Sequence, residues 1–398
     1  MIETAKQEAA PMKRKRRVFV KTSMALIFAA LIIAALVTVR NLGGGLSIEG
    51  AKRMWTVITG GAGDANFIFE EGFDSAFADL GGAVVAAGST GVVVYDGNGA
   101  EVARDVLAVQ HPTVASGAGV AVAYGVGGRG VRVADRTGII ASLTFENDII
   151  SCSVGTSSGV FAGGTMFAVC TKSSGGYRGQ VIIYRLAGSG PEEIYRWFSG
   201  EGYVLSAEIA PGNNEFAVLT LTPEGGRIVL LSRTGTDVRG EYIERGAAII
   251  EMGYLKSGTL IARTADGLTA IDSAGGGTRI YSFGEKVVAG YCDAGESSLA
   301  AYLESGAGGS AAGELVIIDE RGIELGKMST SRSLVWLSSY TDRIAVLWDD
   351  GLGIYDRSMR LVVSYPEASG MRQGYSRGAS RAVVFGNREG RAFSGRTD

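Results

Sequence analysis

The stretch Gly91-Val-Val-Val-Tyr-Asp96 sets the pattern of this chain, with a glycine, four apolar residues and an aspartate. Short apolar runs between glycine- and aspartate-rich turns are typical of β-strands that are joined by hairpins. Six related stretches follow along the sequence. They cover residues 130–135, 180–185, 227–233, 267–272, 314–319 and 351–356.

The spacing of these stretches predicts the fold. Their last residues lie at positions 96, 135, 185, 233, 272, 319 and 356, with a mean spacing near 43 residues, and a degenerate eighth copy covers 389–393. Each copy follows another apolar run across a short turn, such as 83–87 or 344–348. A four-stranded unit of this length repeated around a circle is the β-propeller pattern. We predict an all-β, eight-bladed propeller, with seven blades as the alternative.

The two ends of the repeat region suggest how the ring closes. The eighth copy stops after its third strand, while the apolar run Asn66-Phe-Ile-Phe-Glu70 precedes the first repeat and belongs to no unit. We expect this run to supply the missing outer strand, because pairing the two ends removes open strand edges. The predicted propeller covers 66–393, and 394–398 are predicted to be a disordered tail.

The composition excludes several classes of protein. The chain has 61 Gly but only 6 Pro, so it is not collagen-like, and 46% apolar residues indicate a folded chain. A single His disfavours a His-rich zinc site and a Ser–His–Asp triad. We therefore predict no metal, cofactor or catalytic residue. The glycines are assigned to hairpin turns, where positive φ is needed, and to crowded inner strands.

The N-terminal sequence predicts a membrane anchor. A basic run at 13–17 precedes 22 largely apolar residues at 18–39, which as a helix would span about 33 Å of a lipid bilayer. The positive charges place 1–17 in the cytoplasm, and 40–65 then form an extracytoplasmic stem. The alternative, a cleaved signal peptide, requires a shorter apolar region and a small-residue cleavage site. The acidic main body disfavours a nucleic-acid partner.

Two glycine-containing motifs are interpreted as turns. The run Gly125–Gly130 matches the dinucleotide pattern G-x-G-x-x-G, but that pattern requires a following helix and here a strand follows. Asp96-Gly-Asn98 resembles the start of a calcium loop without its later glycine and glutamate ligands. Neither motif predicts a ligand.

Two of the three cysteines are candidates for a disulfide. Cys152 and Cys170 lie in the first and second strands of one unit, about equally far from the centre of their hairpin. A cross-strand disulfide would suit an oxidising extracytoplasmic setting. The alternative is two buried free thiols, and Cys292 is interpreted as a small core residue.

Candidate binding residues come from the loops. The segments 172–179 and 304–313 are long connections between second and third strands, and both open on the same face of a propeller. Long loops on a rigid scaffold are common binding sites. We therefore single out a set of possible binding-face residues, with slack functionless loops as the alternative. The set is His111, in the connection between the first two blades, together with Lys172, Tyr177, Arg178 and Glu304.

The layout from Lys13 to Phe393 resembles a bacterial family of uncharacterised proteins with a basic tail, one transmembrane helix and an extracytoplasmic propeller of glycine-rich repeats such as Gly91–Asp96. More loosely, the repeats resemble quinoprotein-like and WD40-like propellers. The Gly-His and Trp-Asp marks of WD40 repeats are missing, apart from Trp348-Asp349. The resemblance implies the fold and supplies no catalytic residue.

Three hypotheses for function follow. The first is a membrane-anchored binding, scaffold or sensor module with a protein or cell-envelope partner. The second is an enzyme with a carbohydrate or envelope substrate in the central channel, which would need two or more acids with an arginine or tyrosine. Glu208 is one of the rare acids expected on an inner strand. The third hypothesis is a purely structural stalk.

Overall fold

The computed structural model describes residues 66–69, 75–157, 164–188, 190–233, 238–305 and 313–395. The predicted cytoplasmic tail, transmembrane helix and stem lie outside these residues, as does the end of the chain from 396. Among the residues described, none forms a helix with the length and apolar character that crossing a bilayer requires.

Within the described residues, 32 strands form eight four-stranded antiparallel sheets. The first strands of neighbouring sheets contact one another, so these strands are the inner ones and the sheets are the blades of a propeller. The prediction of an all-β, eight-bladed propeller is confirmed, and the seven-bladed alternative is wrong.

The strands of the first four blades, from inside to outside, are β2 to β5 (Ala76–Asp79, Ala83–Ala87, Gly91–Asp96, Glu101–Val106), β6 to β9 (Pro112–Gly117, Val120–Gly125, Gly130–Asp135, Gly138–Thr144), β10 to β13 (Ile149–Val154, Met166–Thr171, Gln180–Ala187, Gly190–Phe198) and β14 to β17 (Tyr203–Ile209, Glu215–Thr222, Gly225–Ser232, Val238–Arg245).

The strands of the last four blades are β18 to β21 (Glu251–Tyr254, Leu260–Arg263, Gly267–Ile271, Gly277–Ser282), β22 to β25 (Lys286–Asp293, Ser298–Ser305, Gly313–Asp319, Glu324–Thr330), β26 to β29 (Leu334–Tyr340, Arg343–Trp348, Gly351–Tyr355, Leu361–Tyr365) and β30, β31, β32 and β1 (Gln373–Ser376, Arg381–Phe385, Glu389–Ser394, Asn66–Ile68). A 3-10 turn, Pro366–Ala368, follows β29.

The connections divide between the two faces of the ring because successive strands are antiparallel. The loops from second to third strands and the connections between blades lie at one face, which we call the loop face. The remaining hairpins lie at the opposite face, which we call the turn face.

The glycine and the aspartate of the repeated stretch have separate roles. At Gly91 and Gly267, a side chain would collide with a carbonyl oxygen of the adjacent outer strand. At the other end, Oδ1 of Asp96 accepts hydrogen bonds from the backbone N–H groups of Asn98 and Ala100, each at 2.9 Å. Such a carboxylate closes the hairpin to the outer strand. The same pair of bonds is made by Asp272, Asp319 and Asp356.

The hydrophobic core lies between the blades. The second strand of most blades is buried along its length, because both faces of the sheet are covered by neighbouring blades. At the junction of blades 2 and 3, for example, Val122 and Val133 pack in one cluster with Phe167 and Ile182. The alternation of apolar residues is thus lost in the second strands and kept in the exposed outer strands.

The ring closes through its N-terminal strand. In β1, Asn66 pairs with Arg391 and Ile68 with Glu389 of β32, which makes β1 the outer strand of the eighth blade. Phe67 is fully buried, and its ring lies 6.1 Å from that of Phe385. Because β32 runs from the loop face to the turn face and is antiparallel to β1, the chain runs through β1 from the turn face towards the loop face.

Candidate functional site

The residues predicted for a binding face all lie on the loop face, but at three places around the ring. His111 connects blades 1 and 2, Glu304 lies near the end of β23 in blade 6, and the other three belong to the loop of blade 3. His111 is exposed and has a left-handed φ of 54°, so it forms a tight turn into β6. Glu304 is exposed, and the adjoining 306–312 lie outside the described residues.

Lys172 belongs to an ion cluster on the loop face of blades 2 and 3. Its Nζ lies 3.0 Å from Oδ2 of Asp148, and Nε of Arg129 lies 3.2 Å from Oδ1 of the same carboxylate. The hydrogen bonds from Lys172 and Arg129 hold the pKa of Asp148 below its usual range. The positive charge of Lys172 is therefore already partly balanced within the protein.

Tyr177 and Arg178 belong to a group of exposed side chains that also includes Phe198 and Tyr203, and we call these four the aromatic patch. The rings of Tyr177 and Phe198 lie 4.9 Å apart. Nη1 of Arg178 donates to the Tyr203 hydroxyl at 3.0 Å, and its Cζ lies 5.3 Å from the centre of that ring. The tyrosines are 48% and 57% exposed and Phe198 is 40% exposed. Aromatic and arginine side chains are enriched at interfaces.

The connection between blades 3 and 4 fixes this patch. Phe198 ends β13 and Tyr203 begins β14, and Ser199 between them is fully buried. The backbone N–H of Arg178 donates to the Ser199 carbonyl at 2.8 Å. The Ser199 hydroxyl lies 2.7 Å from the carbonyl oxygens of Glu201 and Gly202. The four side chains are therefore carried by a hydrogen-bonded connection and not by a slack loop.

A cleft of about 810 Å³ opens beside the aromatic patch, between blades 3 and 4. This volume lies in the range of small-molecule binding sites. The cleft is lined by Arg178, Gly200, Glu201, Gly202, Tyr203, Leu221, Thr222, Pro223, Glu224, Arg227, Glu241 and Ile243.

Arg227 is the most buried charged group of this cleft, with a side chain that is 16% exposed. Its Nη2 donates to Oε1 of Glu241 at 2.6 Å, and its Nη1 donates to Oε2 of Glu201 at 3.4 Å. Its Nε is buried and has no hydrogen-bond partner within the described residues. Leaving such a donor unpaired costs about 1–3 kcal/mol, so a ligand oxygen that reached it would be stabilised.

The central channel contains a second group of functional interest. Glu208, Glu251 and Asp293 lie on the inner strands of blades 4, 5 and 6. Burial, reinforced by the charges of Glu251 and Asp293, raises the pKa of Glu208 to about 8. Burial also raises the pKa of Asp293 to about 6, although Lys256 acts in the opposite direction. Carboxyl groups with separated pKa values can serve as acid and base.

An arginine and a tyrosine accompany these acids. Nη2 of Arg263 lies 3.0 Å from Oε2 of Glu251, and Cζ of Arg263 lies 5.9 Å from the ring centre of Tyr291. Of these acids, only Glu208 was expected on an inner strand. Across the part of the chain that the structure describes, no three His, Cys, Asp or Glu side chains are placed to hold a metal ion.

The possible disulfide between Cys152 and Cys170 is not formed in the structure, where both are buried free cysteines, as in the alternative interpretation. Cys152 pairs with Val169, and Cys170 pairs with Ser151. This offset of one residue turns the two side chains to opposite faces of the sheet, where they join the cores on either side of blade 3. Cys292 is half-buried and packs against the core between blades 6 and 7.

Sequence reasoning missed Phe198, Tyr203, Arg227 and Glu241, because these residues come from four different strands. One signal could have found the first two. In Phe198-Ser-Gly-Glu-Gly-Tyr203, two aromatic residues flank a short connection that contains two glycines, which brings their rings to one face. The charged residues carry no such signal, since Arg227 and Glu241 lie in different strands and meet only when β16 pairs with β17.

Comparison with known proteins identifies a family and a fold. Residues 66–365 match a family of unknown function (DUF5711), and no curated protein matches the chain. Similar solved structures include the C-terminal WD40 domain of Sif2 (13% identity, TM-score 0.58, 84% of this chain and 97% of that chain) and BamB of Moraxella catarrhalis (13%, 0.52, 84% and 97%). Another is Sqt1 of Chaetomium thermophilum bound to the N-terminus of ribosomal protein L10 (14%, 0.56, 83% and 97%). At these identities the likeness shows the propeller fold alone.

Proposed function

The chain belongs to the DUF5711 family, whose function is unknown, and we propose that it is a membrane-anchored extracytoplasmic binding module. Its loop face would bind a protein or a component of the cell envelope. The observation that carries this proposal is the aromatic patch, because its rings are 40% to 57% exposed and lie with Arg178, and exposed aromatic and arginine side chains that lie together are typical of interfaces. The cleft beside the patch provides a concave surface for that contact.

The predicted membrane anchor is consistent with an extracytoplasmic propeller. The run 18–39 is long and apolar enough for a membrane helix, and it precedes the propeller in the sequence. Since the chain passes through β1 from the turn face towards the loop face, Asn66 lies at the face opposite to the aromatic patch.

The similar structures show that a propeller of this fold can bind another protein, and this supports a binding role here. The Sqt1 structure from Chaetomium thermophilum is a propeller bound to a segment of another protein. A rigid ring that carries its variable loops on one face suits recognition, because the scaffold holds the binding side chains without further ordering.

Site-specific photocrosslinking in intact cells tests the proposal. A photoreactive amino acid replaces Tyr203 in one variant and Val238 in the control variant. Val238 begins the outer strand of the same blade and is 52% exposed, so it matches Tyr203 in accessibility. We expect a discrete adduct from position 203 only, and its loss when Tyr177→Ala and Phe198→Ala are added. A folded variant that forms no adduct at 203, or the same adducts at both positions, would refute the proposal.

A second candidate function is an enzyme that acts on a carbohydrate or envelope substrate in the channel. Glu208, Glu251 and Asp293, with Arg263 and Tyr291 beside them, favour it. With a pKa of about 8, Glu208 would be protonated at neutral pH and could act as a general acid. The test is hydrolysis of envelope polysaccharide by the full chain. Loss of activity in Glu208→Gln but not in Glu285→Gln would support this function, and an inactive wild type would refute it.

A further inference from the structure

We infer that the cleft between blades 3 and 4 binds a neutral oligosaccharide of the cell envelope, which continues over the aromatic patch. This inference rests on the proposed function, because it names the class of ligand for the same face.

The charges in the cleft favour a neutral ligand. Two guanidinium groups, of Arg178 and Arg227, face three carboxylates, of Glu201, Glu224 and Glu241. The carboxylates would repel a phosphorylated or acidic ligand, and the guanidinium groups would repel a strongly basic one. Sugar hydroxyl groups can donate to carboxylates and accept from guanidinium groups at the same time. A polyhydroxyl ligand therefore matches a lining in which both signs alternate.

The buried end of the cleft can still form hydrogen bonds. Nε of Arg227 is a buried donor without a partner within the described residues, and it would have to become exposed to the cleft before a ligand oxygen could accept from it. Glu241 accepts one bond from Arg227 at 2.6 Å, and a carboxylate has about four acceptor positions. A sugar ring that reached Arg227 could thus accept from Nε and donate to Glu241. Such adjacent donors and acceptors on planar side chains suit vicinal hydroxyl groups.

The apolar lining can hold the C–H faces of the sugar rings. Tyr203 and Leu221 are 57% and 40% exposed, and Ile243 also lines the cleft. The contact with Arg178 holds the Tyr203 ring in place before a ligand arrives, which lowers the entropy cost of binding. Beyond the cleft, the rings of Tyr177 and Phe198 extend the same apolar surface. A chain of sugars can follow this surface, whereas a single small molecule would leave it uncovered.

Gly200 offers a way to block the cleft without disturbing the fold. A side chain there would meet nothing within 4 Å, and its φ is compatible with any residue. The variant Gly200→Leu should therefore fill the cleft and keep the backbone unchanged. Gly202 is not suitable, because its φ of 81° and the nearby Thr222 disfavour a side chain.

Binding is measured on the full chain in lipid nanodiscs, because maltoside detergents would compete for a sugar site. The probes are end-labelled oligosaccharides released from the neutral envelope polysaccharide of the host, and their fluorescence anisotropy is recorded. We expect saturable binding of at least one probe, with an affinity about tenfold lower in Tyr203→Ala and Glu241→Gln, which is about 1.4 kcal/mol. Gly200→Leu should abolish binding. The matched controls Tyr340→Ala and Glu101→Gln, which alter exposed residues away from the cleft, should bind like the wild type.

The inference is overturned if the wild type binds no probe, or if Gly200→Leu binds as tightly as the wild type. The adduct formed at position 203 in intact cells separates this failure from failure of the proposed function. An adduct removed by glycan-degrading treatment supports the inference. An adduct that contains peptides of a second protein in mass spectrometry means a polypeptide partner, which overturns the inference and leaves the proposed function standing. The absence of any adduct overturns both.

Discussion

Arg377 and Asp79 form an ion pair that joins the eighth blade to the first. Nε and Nη2 of Arg377 donate to the two carboxylate oxygens of Asp79 at 2.9 and 2.7 Å. The side chains are only 12% and 6% exposed, although the residues lie 298 positions apart in the sequence. The hydroxyl of Tyr375 donates to the carbonyl of Phe77 across the same junction, at 3.1 Å. The two ends of the repeat are therefore joined by polar contacts as well as by β1.

Replacement of Asp79 by Asn should destabilise the closed ring. The guanidinium of Arg377 would remain buried without its counter-charge, and breaking such a pair costs about 3 kcal/mol or more in the free energy of unfolding. Thermal unfolding of the full chain measures this effect. The control is Asp342→Asn, which removes an exposed partner of Arg343 and should cost no more than about 0.5 kcal/mol. Equal melting temperatures for the two variants would contradict a role of the pair in closure.

The strand β1 offers a second test of closure, because its adjacent residues differ in burial. Phe67 is fully buried between Tyr95 and Phe385, while Ile68 is 77% exposed. Phe67→Ala should lower the free energy of unfolding by about 3–5 kcal/mol, and Ile68→Ala should change it little. Hydrogen exchange should also become faster in β32, the partner of β1. If both variants are equally stable, the N-terminal strand does not hold the ring closed.

The fold could be predicted from the sequence because each element of the repeat has a local physical cause. Gly91 is required by the carbonyl beside it, and Asp96 by the hairpin that its carboxylate closes. The missing outer strand of the last blade also follows from counting strands. The expectation for glycine was only partly correct, since inner strands such as β10, β14 and β26 contain none. In β10, serines occupy the inner-strand positions where glycine was expected, and the Ser151 hydroxyl donates to the carbonyl of Leu205 in the next blade.

The candidate site was less predictable, because its residues meet only after the blades pack. Tyr177 and Arg178 could be chosen as members of a long loop, but their partners Phe198 and Tyr203 belong to a different connection. The three channel acids come from three repeats at different positions in their strands. A shift of one residue in strand register determines whether the cysteines can form a disulfide. Because Cys152 pairs with Val169, the thiols of Cys152 and Cys170 lie on opposite faces of the sheet. Loop length and strand position in the sequence do not determine these contacts between blades or the register of β10 with β11.

The register of β10 and β11 predicts three free thiols. Full-chain protein that is denatured without reductant and treated with an alkylating reagent should carry three labels in mass spectrometry. In the folded protein all three thiols should react slowly, since burial raises the pKa of each of them, to about 12 for Cys170. Protein that carries only one label, with a polypeptide mass two units below that of the fully reduced chain, would indicate a disulfide.

The proposed topology predicts which thiols a membrane-impermeant maleimide can reach. In a Cys292→Ala background, a cysteine in place of Ser174, on the exposed loop of blade 3, should be labelled in intact cells. A cysteine in place of Gln7, in the basic N-terminal segment, should be labelled only after lysis. The reverse pattern would contradict the orientation, and labelling of both positions in intact cells would contradict a cytoplasmic tail.

The stability of the propeller should depend on pH through Glu208. Its pKa is raised from 4.5 to about 8 by burial and by the charges of Glu251 and Asp293. Between these values the folded protein keeps a proton that the unfolded chain releases, so the free energy of unfolding falls as the pH rises from about 5 to about 8. One pKa unit corresponds to about 1.4 kcal/mol, so the loss should be at most about 5 kcal/mol. Melting temperatures measured from pH 5 to pH 9 should fall as the pH rises and so report this loss of stability.

The variant Glu208→Gln should remove most of this dependence, because a neutral amide carries no proton to release. It should be more stable than the wild type at pH 8 and similar to it at pH 5. A smaller slope should remain below about pH 6, where Asp293 titrates with its own raised pKa. Glu285→Gln, at an exposed position between blades 5 and 6, should retain the wild-type profile. An unchanged pH profile in Glu208→Gln would mean that Glu208 is already ionised and solvated in the channel, which would also remove it as a general acid.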